Sequence, residues 1–305
     1  MRFWAGVTDN RWFEYVSRRQ FDEVNFWQPS AKAPFSNLPA GTPFLFKLKK
    51  PNNCIAGGGY FVRYTRLPLL LAWDTFTERN GASSLREFRE LIKSNSSGEF
   101  GPDPDIGCTV VTNAFFLPRE KWISVDALFP KNIMQGKTYD TSLANGSAIW
   151  AALQVARIDS GVAEETLAWG PERFGKAFLM RARLGQGSFR TLVIDSYQKR
   201  CAITGESTLP VLEAAHIKPY AEEGPHLTSN GLLLRSDFHK LFDAGLVTVE
   251  PDHTIRISSR IRDQYFNGKA YYRLHGQKLA LIPEDSLDHP SAEYLRWHNN
   301  ERFAE

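Results

Sequence analysis

Residues 212–243 read LEAAHIKPYAEEGPHLTSNGLLLRSDFHKLFD. VLEAAHI (211–217) and NGLLLR (230–235) are short strand-type runs separated by a polar loop containing Gly and Pro. Ser236 is placed to N-cap a helix over SDFHKLFD, and Gly245 to stop it. The expected order is strand, loop, strand, helix. On that helix His239 and Asp243 are i and i+4 and project from one face. An imidazole and a carboxylate so placed suit a divalent cation. His216 ends the first strand, and histidine is the natural general base near neutral pH. Asn230 opens the second strand, where its amide can cross-link the long loop and hold His216 in place. A metal, a base and a residue that orients the base form a working set for phosphodiester hydrolysis. Each residue alone has a plainer reading: a surface ion pair, an Asn-Gly turn, a hydrogen-bonded histidine. Their joint order favours the site.

Outward from this stretch, CAITGESTLP (201–210) reads as a turn centred on Thr204-Gly205. LVTVE and TIRIS follow the helix as short strands. CAITG, AAHI, NGLLL and HKLFD in that order resemble the HNH nucleases of ββα-metal fold. The narrower likeness is to the subgroup C-x-x-T-G, A-A-H-I, N-G-L-L-L, H-x-x-F-D, and it covers roughly residues 186–250. The resemblance implies that His216 activates a water, Asn230 is the structural asparagine, and His239 is a metal ligand with Asp243 one turn later. The ion implied is Mg²⁺ or Mn²⁺. Many relatives carry a further ligand just before the base, where this chain has Ala215; Glu213, on the same strand face, is the candidate to replace it. Some relatives hold a structural zinc with paired cysteines near the start of the motif. Cys201 stands alone there, so none is expected. Lys218, Arg235 and Lys240 flank the motif as candidate phosphate contacts. His226, His253 and His275 are read as structural or surface residues.

The first 130 residues are strand-rich. PFLFKL (43–48), CIAGGGYFVRY (54–64) and CTVVTNAFFL (108–117) are β-type runs, and Gly57-Gly58-Gly59 marks a bulge or a close backbone approach. SSLREFRELIKS (83–94) has helical apolar spacing, and SNSSGEFGPDPDIG (94–107) is a loop. GTPFLFKLKKPNNCIAGGGYFVRY, with LPLLLAWDTF and RNGASSLREF, is similar to the PUA-like β-barrel domains that include the SRA, EVE and ASCH groups. That likeness implies binding of a modified base, for some members by flipping it into an aromatic pocket. Unstacking costs a few kcal/mol, which aromatic stacking can offset. Trp27, Phe35, Trp73 and Asp74 are the candidates for such a pocket. Core packing is the plainer role for each.

AIWAALQVAR (148–157) and FRTLVIDSYQKR (189–200) read as helices, joined by the basic link RARLGQGSF. The expected organisation is α+β: a PUA-like barrel domain over 1–140, a helical linker over 141–185 and an HNH domain over 186–305. The 305 residues carry 42% hydrophobic and 23% charged side chains with a net charge of +3, which permits a nucleic-acid partner without requiring one. Three scattered cysteines fit neither a disulfide framework nor a zinc site. The start of the chain lacks a secretory apolar core, and the run LPLLLAW is too short to span a bilayer. A cytoplasmic protein without a membrane partner is therefore expected.

Both resemblances together imply a modification-dependent, type IV-like restriction endonuclease acting on double-stranded DNA, with modified cytosine foremost. A homodimer would supply the two active-site visits a double-strand cut needs. Two alternatives stay open. One is an HNH nuclease of phage defence triggered by RNA or a protein partner; the other is a non-catalytic DNA-binding protein.

Overall fold

The computed structural model describes residues 1–30, 35, 37–97, 100–126, 128–129, 133–161, 175–179 and 184–305. Parts of the expected 94–107 loop, of the 141–185 linker and of the basic link at 181–183 lie outside these residues. The chain divides into two compact units, Met1–Ser188 and Phe189–Glu305.

The first unit is built on strands β1 (Arg2–Thr8), β2 (Glu23–Gln28), β3 (Pro43–Leu48), β4 (Cys54–Pro68), β5 (Asp105–Phe116), β6 (Ile123–Ser124) and β7 (Gly136–Asp140). Their order is β2-β5-β4-β3-β1-β7, with β6 beside β4. β2 and β7 are not paired, and no closed barrel is seen among the described residues. All its ladders are antiparallel except β1 with β3, which run parallel. The helices are α1 (Asn10–Arg19), α2 (Leu69–Phe76), α3 (Leu85–Ser94), α4 (Ala144–Asp159) and the short α5 (Lys176–Leu179). Asp9 caps α1 by accepting from Arg11 and Trp12 N–H, and Ser84 caps α3 by accepting from Glu87 N–H.

Strand alternation sorts the core into two faces. Phe44 and Phe46 meet Phe26 on one side, and Trp12 packs edge-on against Phe26 and Phe46. Phe3, Ala5 and Leu45 point the other way, into a cluster with Ile149, Leu153 and Ala156 of α4. Within the segment read from sequence as a helical linker, α4 buries one face in this core. The three glycines of β4 serve close approach as well as a bulge. A Cβ on Gly57 would lie 2.3 Å from the Phe115 carbonyl oxygen, and the β4–β5 register shifts between Gly58 and Tyr60.

The second unit begins within α6 (Gln186–Ser196) and contains β8 (Leu212–His216), β9 (Gly231–Arg235), α7 (Ser236–Asp243), β10 (Val247–Val249) and β11 (Ile255–Ile257). Helices α8 (Arg260–Tyr265), α9 (Lys269–Tyr272) and α10 (Ala292–Glu301) complete it. The order β8, loop, β9, α7 is the arrangement expected from residues 212–243. Its core joins Val193 and Tyr197 of α6, Leu212 and Ala215 of β8, Leu232–Leu234 of β9, and Phe238 and Phe242 of α7. Ser236 does not cap α7. It is the first helical residue, and its hydroxyl donates to the Val211 carbonyl across the hairpin. Gly245 does end the helix in the left-handed region, at φ +68°. No helix among the described residues is long and apolar enough to cross a membrane.

Candidate active site

The hairpin sets the position of the base. β8 and β9 pair antiparallel with His216 opposite Gly231, so the strand-ending histidine lies beside Asn230. Asn230 is fully buried and satisfied on both ends of its amide. Its Oδ1 accepts from Lys218 N–H at 2.9 Å, and its Nδ2 donates to the Lys218 and Pro225 carbonyls, each at 2.9 Å. Residues 218–225 are therefore clamped at both ends by one side chain. The Asn-Gly pair is not a turn here. Gly231 is extended at φ −129°, and a Cβ there would lie 2.5 Å from Val193 Cγ2. Glycine is needed for space, to admit α6 behind the strand.

From α6, Phe189 stacks on the His216 ring, with centroids 3.7 Å apart and planes 10° from parallel. Burial, with the neighbouring His226 and His239 charges, pushes the His216 pKa down to about 4. At neutral pH the imidazole is uncharged and has a lone pair with which to take a proton. His216 Nε2 lies 3.0 Å from His226 Nδ1. His226 was read from the sequence as structural or surface; no local pattern ties it to a histidine ten residues earlier.

On α7, His239 stands between two carboxylates. Its Nδ1 is 2.6 Å from Glu213 Oε2 and its Nε2 is 3.4 Å from Asp243 Oδ2. Burial raises the Glu213 pKa, but hydrogen bonds from His239 and Ser236 outweigh it and the net shift is downward. Asp243 shifts the other way, through burial and the repulsion of Glu213, against the pull of His239 and Arg302. Two acids are thus held close with one imidazole between them.

Among the described residues no three His, Cys, Asp or Glu side chains form a preformed metal cage. The donor set nonetheless fits a divalent ion of the Mg²⁺ type. Such ions take one or two protein ligands and fill the rest of the shell with water and phosphate oxygens. Neighbouring ligand atoms around such an ion, at bonds of about 2.1 Å, lie roughly 3 Å apart. The 3.4 Å between His239 Nε2 and Asp243 Oδ2 is close to this. Glu213, the candidate to replace the ligand missing at Ala215, has its Oε2 on the Nδ1 of His239, leaving the other ring nitrogen for a metal. Ala215 is buried in the core and contributes no donor. Cys201 Sγ accepts from Thr204 and Arg235 N–H, tying the CAITG turn to β9.

The three basic candidates differ in their surroundings. Lys240 is exposed, and Lys218 Nζ lies 5.9 Å over the Trp297 ring. Arg235 is gripped by Asp237 through two 2.7 Å contacts, so its charge is already partnered. Sequence reasoning also missed His298 of α10. It is 2% exposed, stacks at 3.7 Å on Phe242, and donates from Nε2 to the Phe242 carbonyl. It anchors α10 against α7.

In the first unit, a cavity of about 960 Å³ is lined by Trp12, Phe26, Trp27, Gln28, Lys49 and Asn95 among others. Of the four candidate pocket residues only Trp27 borders it, and its indole N–H is spent on the Asn80 carbonyl. Phe35 is packed among Trp4, Phe26, Phe44 and Tyr64. Trp73 lies against Phe88, and Asp74 is on the surface. The wall carries one polar group that alternation alone could not flag. Gln28 is buried, and its Oε1 has no hydrogen-bond partner among the described residues.

Residues 201–250 match the HNH endonuclease family. A search of curated proteins found no match. Among solved structures, the chain is similar to an ASCH protein from Zymomonas mobilis at 9% identity and TM-score 0.34, over 49% of this chain and 94% of that one. It is also similar to the modification-dependent restriction endonuclease TagI at 13% identity and TM-score 0.32, over 97% of this chain and 80% of that one. The type IV phosphorothioation-dependent restriction endonuclease ScoMcrA aligns at 12% identity and TM-score 0.19, over 78% and 45%. TM-scores this low do not establish a common fold.

Proposed function

We propose, from the premise that residues 201–250 form an HNH endonuclease domain and hence a metal-dependent nuclease, that this chain cuts double-stranded DNA carrying a modified base. The observation that carries the nuclease reading is the hairpin clamped by Asn230. It holds the uncharged His216 imidazole within electrostatic reach of His239, which is paired with Asp243. His216 takes a proton from a water, and the resulting hydroxide attacks phosphorus as the bond to the leaving oxygen breaks. Glu213 holds the His239 ring through Nδ1, leaving Nε2 and the Asp243 carboxylate as the ligating atoms. A divalent ion bound there, Mg²⁺ or Mn²⁺, would supply charge stabilisation for the phosphate in its transition state. Lys218 and Lys240 are placed to neutralise backbone phosphates; Arg235, held by Asp237, is not counted among them.

The reading of a modified base falls to the first unit. Supporting it are the cavity of about 960 Å³, its aromatic wall at Trp12, Phe26 and Trp27, and the unpartnered Gln28 Oε1, an acceptor suited to a base amino group. This wall replaces the pocket of Phe35, Trp73 and Asp74 expected from sequence. Modified cytosine is the first substrate to try, because its exocyclic amine offers the donor that Gln28 lacks.

The test is cleavage, with Mg²⁺ or Mn²⁺, of matched duplexes carrying cytosine, methylcytosine, hydroxymethylcytosine or glucosylated hydroxymethylcytosine, with His216→Ala alongside. Cutting of a modified duplex alone, lost in the variant, is the expected result. Equal cutting of all duplexes would remove the reader, and equal activity in the variant would remove the base.

A further inference from the structure

The His216–His226 contact is left unused by the mechanism above, and its geometry has a chemical consequence. His216 Nε2 and His226 Nδ1 are 3.0 Å apart, so two neutral rings share a single proton between them. If that proton sits on His226, His216 must carry its own proton on Nδ1, and no lone pair remains for a water. If it sits on His216 Nε2, the Nδ1 of His216 is free to act. Only the second arrangement makes His216 a base.

We propose that His226 is the positioning residue for His216: its Nδ1 accepts the Nε2 proton, fixes the ring and selects the tautomer whose Nδ1 faces the water. The proposal rests on the nuclease reading of the second unit and adds a residue to it. When His216 Nδ1 takes the proton of water, the ring becomes an imidazolium. The hydrogen bond to His226 is then charge-assisted and strengthens as charge develops. This is the role of the orienting acid in a triad, filled here by a neutral acceptor.

His226 is held as an orienting group must be. Pro225, before it, gives its carbonyl to Asn230 Nδ2, and Leu227, after it, gives its carbonyl to Asn230 N–H. Tyr220 stacks on its ring at 4.7 Å with planes 7° apart. Phe189 lies against both imidazoles, flat on His216 and tilted at 5.8 Å to His226. Burial also lowers the His226 pKa, which favours the neutral ring that can accept. The same asparagine that clamps the loop therefore fixes the partner of the base.

The experiment compares His226→Phe with His226→Asn under single turnover, on a duplex that the wild type cuts, with His216→Ala as reference. Phenylalanine keeps the ring stacked on Tyr220 but has no acceptor. Asparagine places an amide oxygen near the Nδ1 position. The phenylalanine variant is expected to cut about 10²-fold more slowly with DNA affinity unchanged, and the asparagine variant to stay within about tenfold of wild type. A phenylalanine variant as active as wild type, with His216→Ala inactive, would overturn the role of His226 and leave the nuclease reading intact. Nitrogen-15 spectra of the free protein give a readout independent of cutting. They should show His216 protonated at Nε2, in a hydrogen bond lost in His226→Phe and kept in His226→Asn. The Nδ1–H tautomer at His216 would overturn the proposal even where cutting is preserved.

Discussion

Replacing Asn230 with alanine removes the clamp on residues 218–225 and tests the hairpin as a catalytic scaffold. Three hydrogen bonds of 2.9 Å are lost, and the Lys218 N–H, Lys218 C=O and Pro225 C=O are left without that partner. Each bond contributes about 1 kcal/mol net, and a stranded buried group costs roughly 1–3 kcal/mol. Water entering the loop satisfies some of the three, so the expected cost is about 3–5 kcal/mol. For a unit of this size that corresponds to a fall in Tm of roughly 10–20 °C, at about 3–4 °C per kcal/mol. It is a large part of an ordinary domain stability of about 5–15 kcal/mol. Asn230→Asp should be no better, because it keeps the acceptor for Lys218 N–H but turns a charged oxygen toward two carbonyls. Thermal unfolding by circular dichroism and a cleavage assay below the lowered Tm separate the two effects. Cutting is expected to fall at least about 10²-fold, since His216 loses its partner loop. A Tm within about 2 °C of wild type with normal cutting would refute the clamp.

Other outcomes follow from the same geometry. Gly231→Ala drives a Cβ to 2.5 Å from Val193 Cγ2 and 3.1 Å from the Phe189 ring, and should cost about 1–3 kcal/mol in urea unfolding. His239→Ala or Asp243→Asn should weaken Mn²⁺ binding, read by paramagnetic relaxation, by at least about tenfold. Glu213→Gln should weaken it by about tenfold through loss of the orienting carboxylate. The His298 pKa is lowered by burial to about 4, so between pH 6.5 and 4 the unfolded chain binds a proton that the folded chain refuses. Stability from this group is therefore complete above about pH 6.5 and lost as pH falls to 4, by roughly 1.4 kcal/mol per unit and about 3 kcal/mol in all. Urea midpoints against pH should show this slope, reduced in His298→Gln; a flat profile in the wild type would contradict it. Gln28→Leu should leave the Tm of the first unit within a few degrees while lowering affinity for the modified duplex about tenfold, measured by fluorescence anisotropy.

Residues 212–243 specify their own architecture, because strand and helix periodicities are local properties of the chain. LEAAH and GLLLR alternate or run apolar, SDFHKLFD places Phe238 and Phe242 one turn apart, and Gly245 takes the left-handed conformation that ends the helix. The same locality made His216, Asn230, His239 and Asp243 legible as candidates, since each stands at an element boundary or on one helix face. It made the three-glycine run in β4 legible too, because only a missing side chain lets β5 come within 2.3 Å of that Cβ position.

What required the tertiary structure is every pairing between elements. Glu213 meets His239 because β8 lies against α7, a contact that the separation of 26 residues in the chain does not reveal. His226 meets His216 because one buried amide folds the loop back, and His298 reaches Phe242 from the far end of the chain. The aromatic residues of the first unit show the same limit. Trp27, Phe35 and Trp73 are chemically alike in sequence, yet only Trp27 borders the cavity, while Phe35 is sealed in the core and Trp73 lies on Phe88. Side-chain type and spacing set what a residue can do. Which partner it does it with is decided by long-range packing, to which local periodicity is blind.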